Sequence, residues 1–151
     1  MNVEGRWRRT IEPAPGGRGV IVLDQAELPY AVEWLPLRSL DEVARAIRDM
    51  HVRGAPLIGV TAAYGVAIAL AEGIALERAC EVLAATRPTA INLRWALDQM
   101  TAALHGTRDA DAAFATAAAL ADADVAISEA IGAHGLALFA RGKRTNVLTH
   151  C

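Results

Sequence analysis

Residues 51–65, HVRGAPLIGVTAAYG, set an arginine and a Gly-Ala-Pro turn directly in front of a run that is almost wholly apolar. Core packing accounts for the run, but gives no reason for Arg53. The first four N–H groups of a helix have no internal partner, and the aligned peptide dipoles leave partial positive charge there, so a helix entrance attracts anions. Gly54 and Ala55 leave that backbone almost bare, and Arg53 adds a guanidinium able to grip phosphate through charge-assisted, bidentate hydrogen bonds. The competing reading is a plain helix-starting turn, with Arg53 reaching out to solvent along its own stem. A second stretch has the same grammar: in TRPTAINL, Arg87 stands before Pro88 and Thr89 where another helix begins. Two arginines at two helix entrances could clamp one phosphorylated ligand from two sides, although Arg-Pro is also an ordinary helix junction.

The two cysteines differ in context. Cys80, inside LERACEVLAA, reads as a small buried core residue. Cys151 follows His150 at what reads as the carboxyl end of a strand, where open α/β sheets place their ligands, and it is the better candidate for chemistry. The direction of its thiol pKa stays open, because a helix N-terminus lowers it while burial or a nearby phosphate raises it. Adjacent strand residues face opposite sides, which argues against a His150–Cys151 pair. His51, His105 and His134 are singletons that read as packed or solvated. No spacing resembles a zinc framework or a secreted disulfide scaffold, so no metal is expected and a reducing, cytoplasmic setting fits best.

These residues must be positioned by one packed unit: 151 residues suffice for a single domain with a real core but not for two of typical size. A composition of 54% hydrophobic and 21% charged residues, with a net charge of -2, is globular. It excludes disorder and wrapping of nucleic acid through bulk charge. The first residues, MNVEGRWRRTIEPAPGG, lack the apolar core of a signal peptide, and the longest uncharged segment, Gly54–Ala71, is interrupted by Gly59, Thr61, Tyr64 and Gly65 and is short for a span. No membrane partner is therefore expected. Lys143 is the single lysine among fifteen basic residues, which bears on coding bias and not on function.

Val20–Leu23 and Ala31–Leu35 are short runs separated by Pro, Gly and acidic residues, and predict two or three strands over residues 1–38. Ser39 and Glu42 have the capping-box spacing ahead of Val43, Ala46, Ile47 and Met50, predicting a helix from about 40 to 50. The run from Pro56 to Glu72 predicts a helix buried on all sides; a membrane span is the rival, but the run is short for one. Breaks at Arg87-Pro88, Gly106 and Gly142 divide the alanine-rich remainder into three more helices, completing a helical domain over 39–143. NVLT, flanked by Thr145, then opens a strand at 144–151 with no partner strand to bond. The expected fold class is therefore α+β: a small N-terminal β-sheet, then a helical bundle, ending in a first strand of something longer.

VRGAPLIGVTAAYG, RPTAINL and the terminal VLTHC, in this order and at these separations, resemble the S-methyl-5-thioribose-1-phosphate isomerase family of methionine salvage. VLDQAELP and IGAHGLAL match its pattern loosely, so the resemblance covers about Val20 to Cys151. It implies that Arg53, Gly54, Ala55 and Arg87 bind substrate and that Cys151 is catalytic. Family members convert cyclic 5-methylthioribose 1-phosphate to open 5-methylthioribulose 1-phosphate without metal or cofactor. Phosphate caps the anomeric oxygen, so ring opening needs acid and base assistance, with hydrogen leaving or migrating between C1 and C2. In such proteins the cysteine works opposite an aspartate in a second, Rossmann-like domain, and the resemblance implies a homodimer. On this reading residues 144–151 are the first strand of that domain, truncated, and the fragment alone is expected to be inactive. Two alternatives remain: a non-catalytic module like the related regulatory subunits of the translation-initiation guanine-nucleotide exchange factor, or an isomerase of another pentose phosphate such as ribose 1,5-bisphosphate.

Overall fold

The structure, a computed structural model, describes residues 2–3, 5–139 and 144–148. Two small antiparallel sheets come first. β1 (Asn2–Val3) pairs with β2 (Arg6–Trp7), while β3 (Ile11–Pro13), β4 (Val20–Leu23) and β5 (Trp34–Leu37) form a three-stranded sheet in that order. Side chains alternate across a strand, and Val20 and Val22 are buried while Ile21 between them is not. Their partners in β5 are Leu37 and Leu35.

The strand expected at Ala31–Leu35 begins later. The N–H groups of Tyr30 and Ala31 both donate to the Glu27 carbonyl, closing a turn over the start of the expected run, so pairing with β4 opens only at Trp34. Pro36 is accommodated because β5 is an edge strand, where a missing N–H can face away from the ladder.

α1 (Leu40–Arg48) starts as the capping-box spacing predicts: the Ser39 hydroxyl accepts from the Glu42 N–H at 3.2 Å. The return bond goes one residue further back than the motif prescribes, from the Arg38 N–H to the Glu42 carboxylate at 2.6 Å. The Leu40 N–H donates to the carboxylate of Glu72 at 2.8 Å, which joins the start of α1 to the end of α2 (Ala55–Ala71).

α2 is the axle of the fold. Every residue from Ile58 to Leu70 is buried, and the helix packs against α1, α3 (Leu76–Ala84), α4 (Ile91–Ala103) and α5 (Ala110–Leu136). A helix apolar all round belongs in a core or a bilayer; among the described residues no helix is long and apolar enough to cross a membrane. The hydroxyl of buried Thr61 donates to the Leu57 carbonyl at 2.7 Å. Small residues set the spacing of its neighbours. A Cβ on Gly65 would stand 2.8 Å from Val43 of α1 and 3.1 Å from Leu83 of α3, and one on Gly59 would stand 2.8 Å from the Asn92 carbonyl of α4.

Helices α3, α4 and α5 are separated at Arg87-Pro88 and at Gly106, as the punctuation predicts. The Asp109 carboxylate caps α5 by accepting from the N–H groups of Asp111 and Ala112. The first half of α5 buries Ala113, Ala117 and Ala121. Small sheets followed by a helical bundle make the α+β architecture expected. Residues 144–148 form no strand. The rest of the expected final strand, with His150 and Cys151, lies outside the described residues, as does the break at Gly142.

Candidate functional site

The turn of interest is Arg53-Gly54-Ala55-Pro56. Gly54 caps α2 with φ 94° and ψ 129°, a backbone conformation that an L side chain rarely adopts. The first helical bond runs from the Ile58 N–H to the Gly54 carbonyl at 3.0 Å, and Pro56, the second helical residue, has no N–H to leave unpaired. Among the described residues the N–H groups of Gly54, Ala55 and Leu57 make no hydrogen bond.

Comparison of the helix entrances shows how unusual this one is. α1 has Ser39, the acidic first-turn pair Asp41 and Glu42, and the Glu72 carboxylate; α5 has Asp109; α3 has Glu77 in its first turn. α2 and α4 have neither a capping side chain nor an acidic residue in the first turn. Each instead follows an arginine, Arg53 or Arg87. A cation beside the positive end of a helix dipole is unfavourable by about 0.3–1 kcal/mol. That arrangement is reversed in sign when an anion sits between them.

The first turns of α2 and α4 meet. Gly59 lies four residues beyond Ala55, about 6 Å of helix rise, and its backbone packs against the carbonyl of Asn92, the second residue of α4. Arg53 is exposed and Arg87 half-buried. Neither side chain forms an ion pair or hydrogen bond among the described residues. Cys151, the candidate catalytic residue, lies outside the described residues.

The sequence reading missed what holds the turn. His51, read as packed or solvated, is half-buried and carries Asp24 on its Nδ1, with both carboxylate oxygens at 2.9 Å. The next residue, Gln25, donates its backbone N–H to the His51 carbonyl at 2.9 Å and its side-chain amide to the Arg53 carbonyl at 3.1 Å. The DQ of VLDQAELP, noticed only as part of a loose resemblance, thus clasps the segment on both sides of buried Val52. His105 and His134 are exposed.

A cleft of about 790 Å³ lies elsewhere, between residues 7–12, Leu57 and Val60 of α2, and Ala121–Glu129 of α5. It contains none of Arg53, Gly54, Ala55 or Arg87. Its arginines are already engaged, Arg8 with Glu12 and Arg9 with Asp122, and Asp124 and Glu129 also line it, so it is a poor match for phosphate. The Arg8 hydrogen bond holds the Glu12 carboxyl below the usual range against an opposing effect of burial. Cys80, expected to be buried in the core, is half-buried and packs against its edge; burial pushes its thiol up, opposed by a 3.7 Å contact with the Thr101 hydroxyl. Among the described residues no group of three or more His, Cys, Asp or Glu could hold a metal ion.

Residues 51–151, from His51 onward, match the model of the initiation factor 2 subunit family. The chain belongs to this family. Over its whole length it is 54% identical to a methylthioribose-1-phosphate isomerase of Methylorubrum populi, of which it spans 44%. Two solved structures are similar. The 5-methylthioribose 1-phosphate isomerase from Pyrococcus horikoshii OT3 matches 80% of this chain and 37% of its own, with TM-score 0.69 and 31% identity. Subunit delta of the translation initiation factor eIF-2B from A. fulgidus matches 78% and 37%, with TM-score 0.69 and 32% identity. The chain thus spans less than half the length of each of these relatives.

Proposed function

We propose that this chain is the N-terminal part of an aldose–ketose isomerase that converts 5-methylthioribose 1-phosphate to 5-methylthioribulose 1-phosphate. Residues 1–38 form its strand region, 39–143 its helical domain, and 144–151 the first strand of a Rossmann-like domain. The full-length protein is a cytoplasmic homodimer that needs neither nucleic acid nor membrane. The observation that carries this reading is the pair of uncapped, arginine-headed helix entrances at one contact of the fold. The 54% identity to a relative named for this reaction supports it, while the two solved structures, at 31% and 32% identity, are equally similar to the chain.

In this reading the free N–H groups at the start of α2, with Arg53, take the phosphate oxygens, and Arg87 approaches from the start of α4. Since the phosphate ester blocks a free aldehyde, the ring oxygen must be protonated as the C1–O bond opens, and hydrogen must move between C1 and C2. Cys151 supplies an acid–base group for that transfer. Phosphate held at a fixed point aligns C1 and C2 with it.

The test is turnover of 5-methylthioribose 1-phosphate by the full-length protein. Arg53→Ala is expected to raise KM by about 10- to 100-fold, the effect of losing a charge-assisted hydrogen bond. Cys151→Ser is expected to lower kcat by about 100-fold or more. Full activity in both variants would remove the site assignment. Stable association with a translation factor and no binding of the sugar phosphate by calorimetry would put the regulatory-module reading in its place, and preference for ribose 1,5-bisphosphate would change the substrate.

A further inference from the structure

Gln25 stands on the loop after β4, remote in sequence from the Arg53 turn, yet its carboxamide reaches the Arg53 carbonyl at 3.1 Å. A carbonyl oxygen can only accept, so the atom facing it must be the amide nitrogen. The Arg53 carbonyl and the Gly54 N–H belong to one peptide unit. That unit is trans, so carbonyl and N–H lie in one plane and point in opposite directions. Whatever holds the Arg53 oxygen therefore aims the Gly54 N–H the other way. The first helical bond falls on the carbonyl of the cap, Gly54, so the Arg53 carbonyl, one residue outside the helix, is left to Gln25.

From this geometry we propose that Gln25 is a positioning residue: it orients the Gly54 N–H as a phosphate donor at the entrance of α2. The proposal rests on the phosphate-site reading above. The clasp is braced next door. The Gln25 N–H donates to the His51 carbonyl, and the Asp24 carboxylate takes the Ala26 N–H at 2.9 Å together with His51 Nδ1. These bonds fix where the loop sits, so the Gln25 side chain spans a defined gap. A flat peptide freed from this grip can rotate about its flanking φ and ψ, which glycine on one side makes easy. The donor would then have to be re-aimed each time ligand binds, at a cost in affinity and not in the chemical step.

The experiment uses full-length protein with Gln25→Met, which keeps length and removes the donor, and Gln25→Glu, which replaces the donor by a carboxylate. With the melting temperature held within a few degrees of wild type, Gln25→Met is expected to raise KM about five- to tenfold, the worth of one hydrogen bond. Its kcat should stay within about twofold, and Gln25→Glu should be weaker still. In glycine-labelled protein, the Gly54 amide signal, assigned by its loss in Gly54→Ala, should move on adding inorganic phosphate. In Gln25→Met it should start elsewhere and need more phosphate. A folded Gln25→Met with wild-type KM and an unaltered Gly54 signal overturns the proposal. Absence of thiosugar turnover with the Gly54 titration intact and Gln25-dependent removes the isomerase reading and leaves the positioning role. Turnover with a Gly54 signal indifferent to phosphate does the reverse.

Discussion

Asp24 and His51 are joined across 2.9 Å, the carboxylate presenting both oxygens to Nδ1, and this contact fastens the loop after β4 to the segment that enters α2. The Asp24 residue is 7% exposed, so the carboxylate has little water to fall back on when the partner is removed. His51→Ala should cost about 1–3 kcal/mol in urea denaturation, mostly from the stranded carboxylate. Asp24→Ala should also lose the bond to the Ala26 N–H and cost at least as much. The double variant should cost less than the sum of the two, and additive losses would mean that the contact contributes nothing as a pair.

Gly54→Ala isolates backbone strain. A Cβ at Gly54 meets no atom within 4 Å, so crowding is absent and the φ of 94° is the whole obstacle. The expected loss is about 1–3 kcal/mol, measured by the same denaturation. If Ala relaxes to negative φ instead, the Gly54 N–H swings away from its present direction, and the variant should bind phosphate less tightly than its stability loss alone would suggest.

The elements legible in the sequence were those specified locally. Ser39 and Glu42 announce the start of α1 because the bonds that cap it lie within one turn, and Gly54-Ala55-Pro56 announces α2 because Gly and Pro each restrict or release φ at their own position. The displaced start of β5 was not legible: the turn around Glu27 and the pairing with β4 compete for the same residues, and only the assembled sheet decides between them. Arg53 and Arg87 could be picked out by type and context, but their proximity depends on Gly59 meeting Asn92, a contact between helices. Gln25, noticed only within the loosely matching VLDQAELP, gave no sign of its role, since a glutamine after a strand looks like any polar loop residue until the loop is folded onto the Arg53 carbonyl.

Cys80 offers a check by pH. Burial raises its thiol pKa, the Thr101 hydroxyl opposes this, and the charges of Glu77 and Asp98 add to the rise. A folded-state pKa above the unfolded one means the native state holds its proton more tightly. The corresponding stability is complete below the ordinary thiol pKa of about 8.5 and is lost as pH rises through the raised value. In a Cys151→Ser background, iodoacetamide at pH 8 should modify Cys80 more slowly in native protein than in urea. Equal rates would show that the site is not protected.

Gly59 and Gly65 separate packing from function within one helix. Alanine at either should cost about 1–3 kcal/mol through overpacking. At Gly65 the new methyl would meet the Val43 and Leu83 side chains, so the adjustment would fall on α1 and α3. At Gly59 it would meet the Asn92 carbonyl at 2.8 Å, a backbone atom that yields only if α4 shifts. That shift moves the Arg87 entrance away from the Arg53 entrance. In the full-length protein Gly59→Ala should therefore raise KM for the sugar phosphate severalfold, whereas Gly65→Ala, equally destabilised, should leave KM near wild type. Equal KM values in the two variants would show that the distance between the entrances does not matter to the ligand, and that Arg53 and Arg87 do not share it.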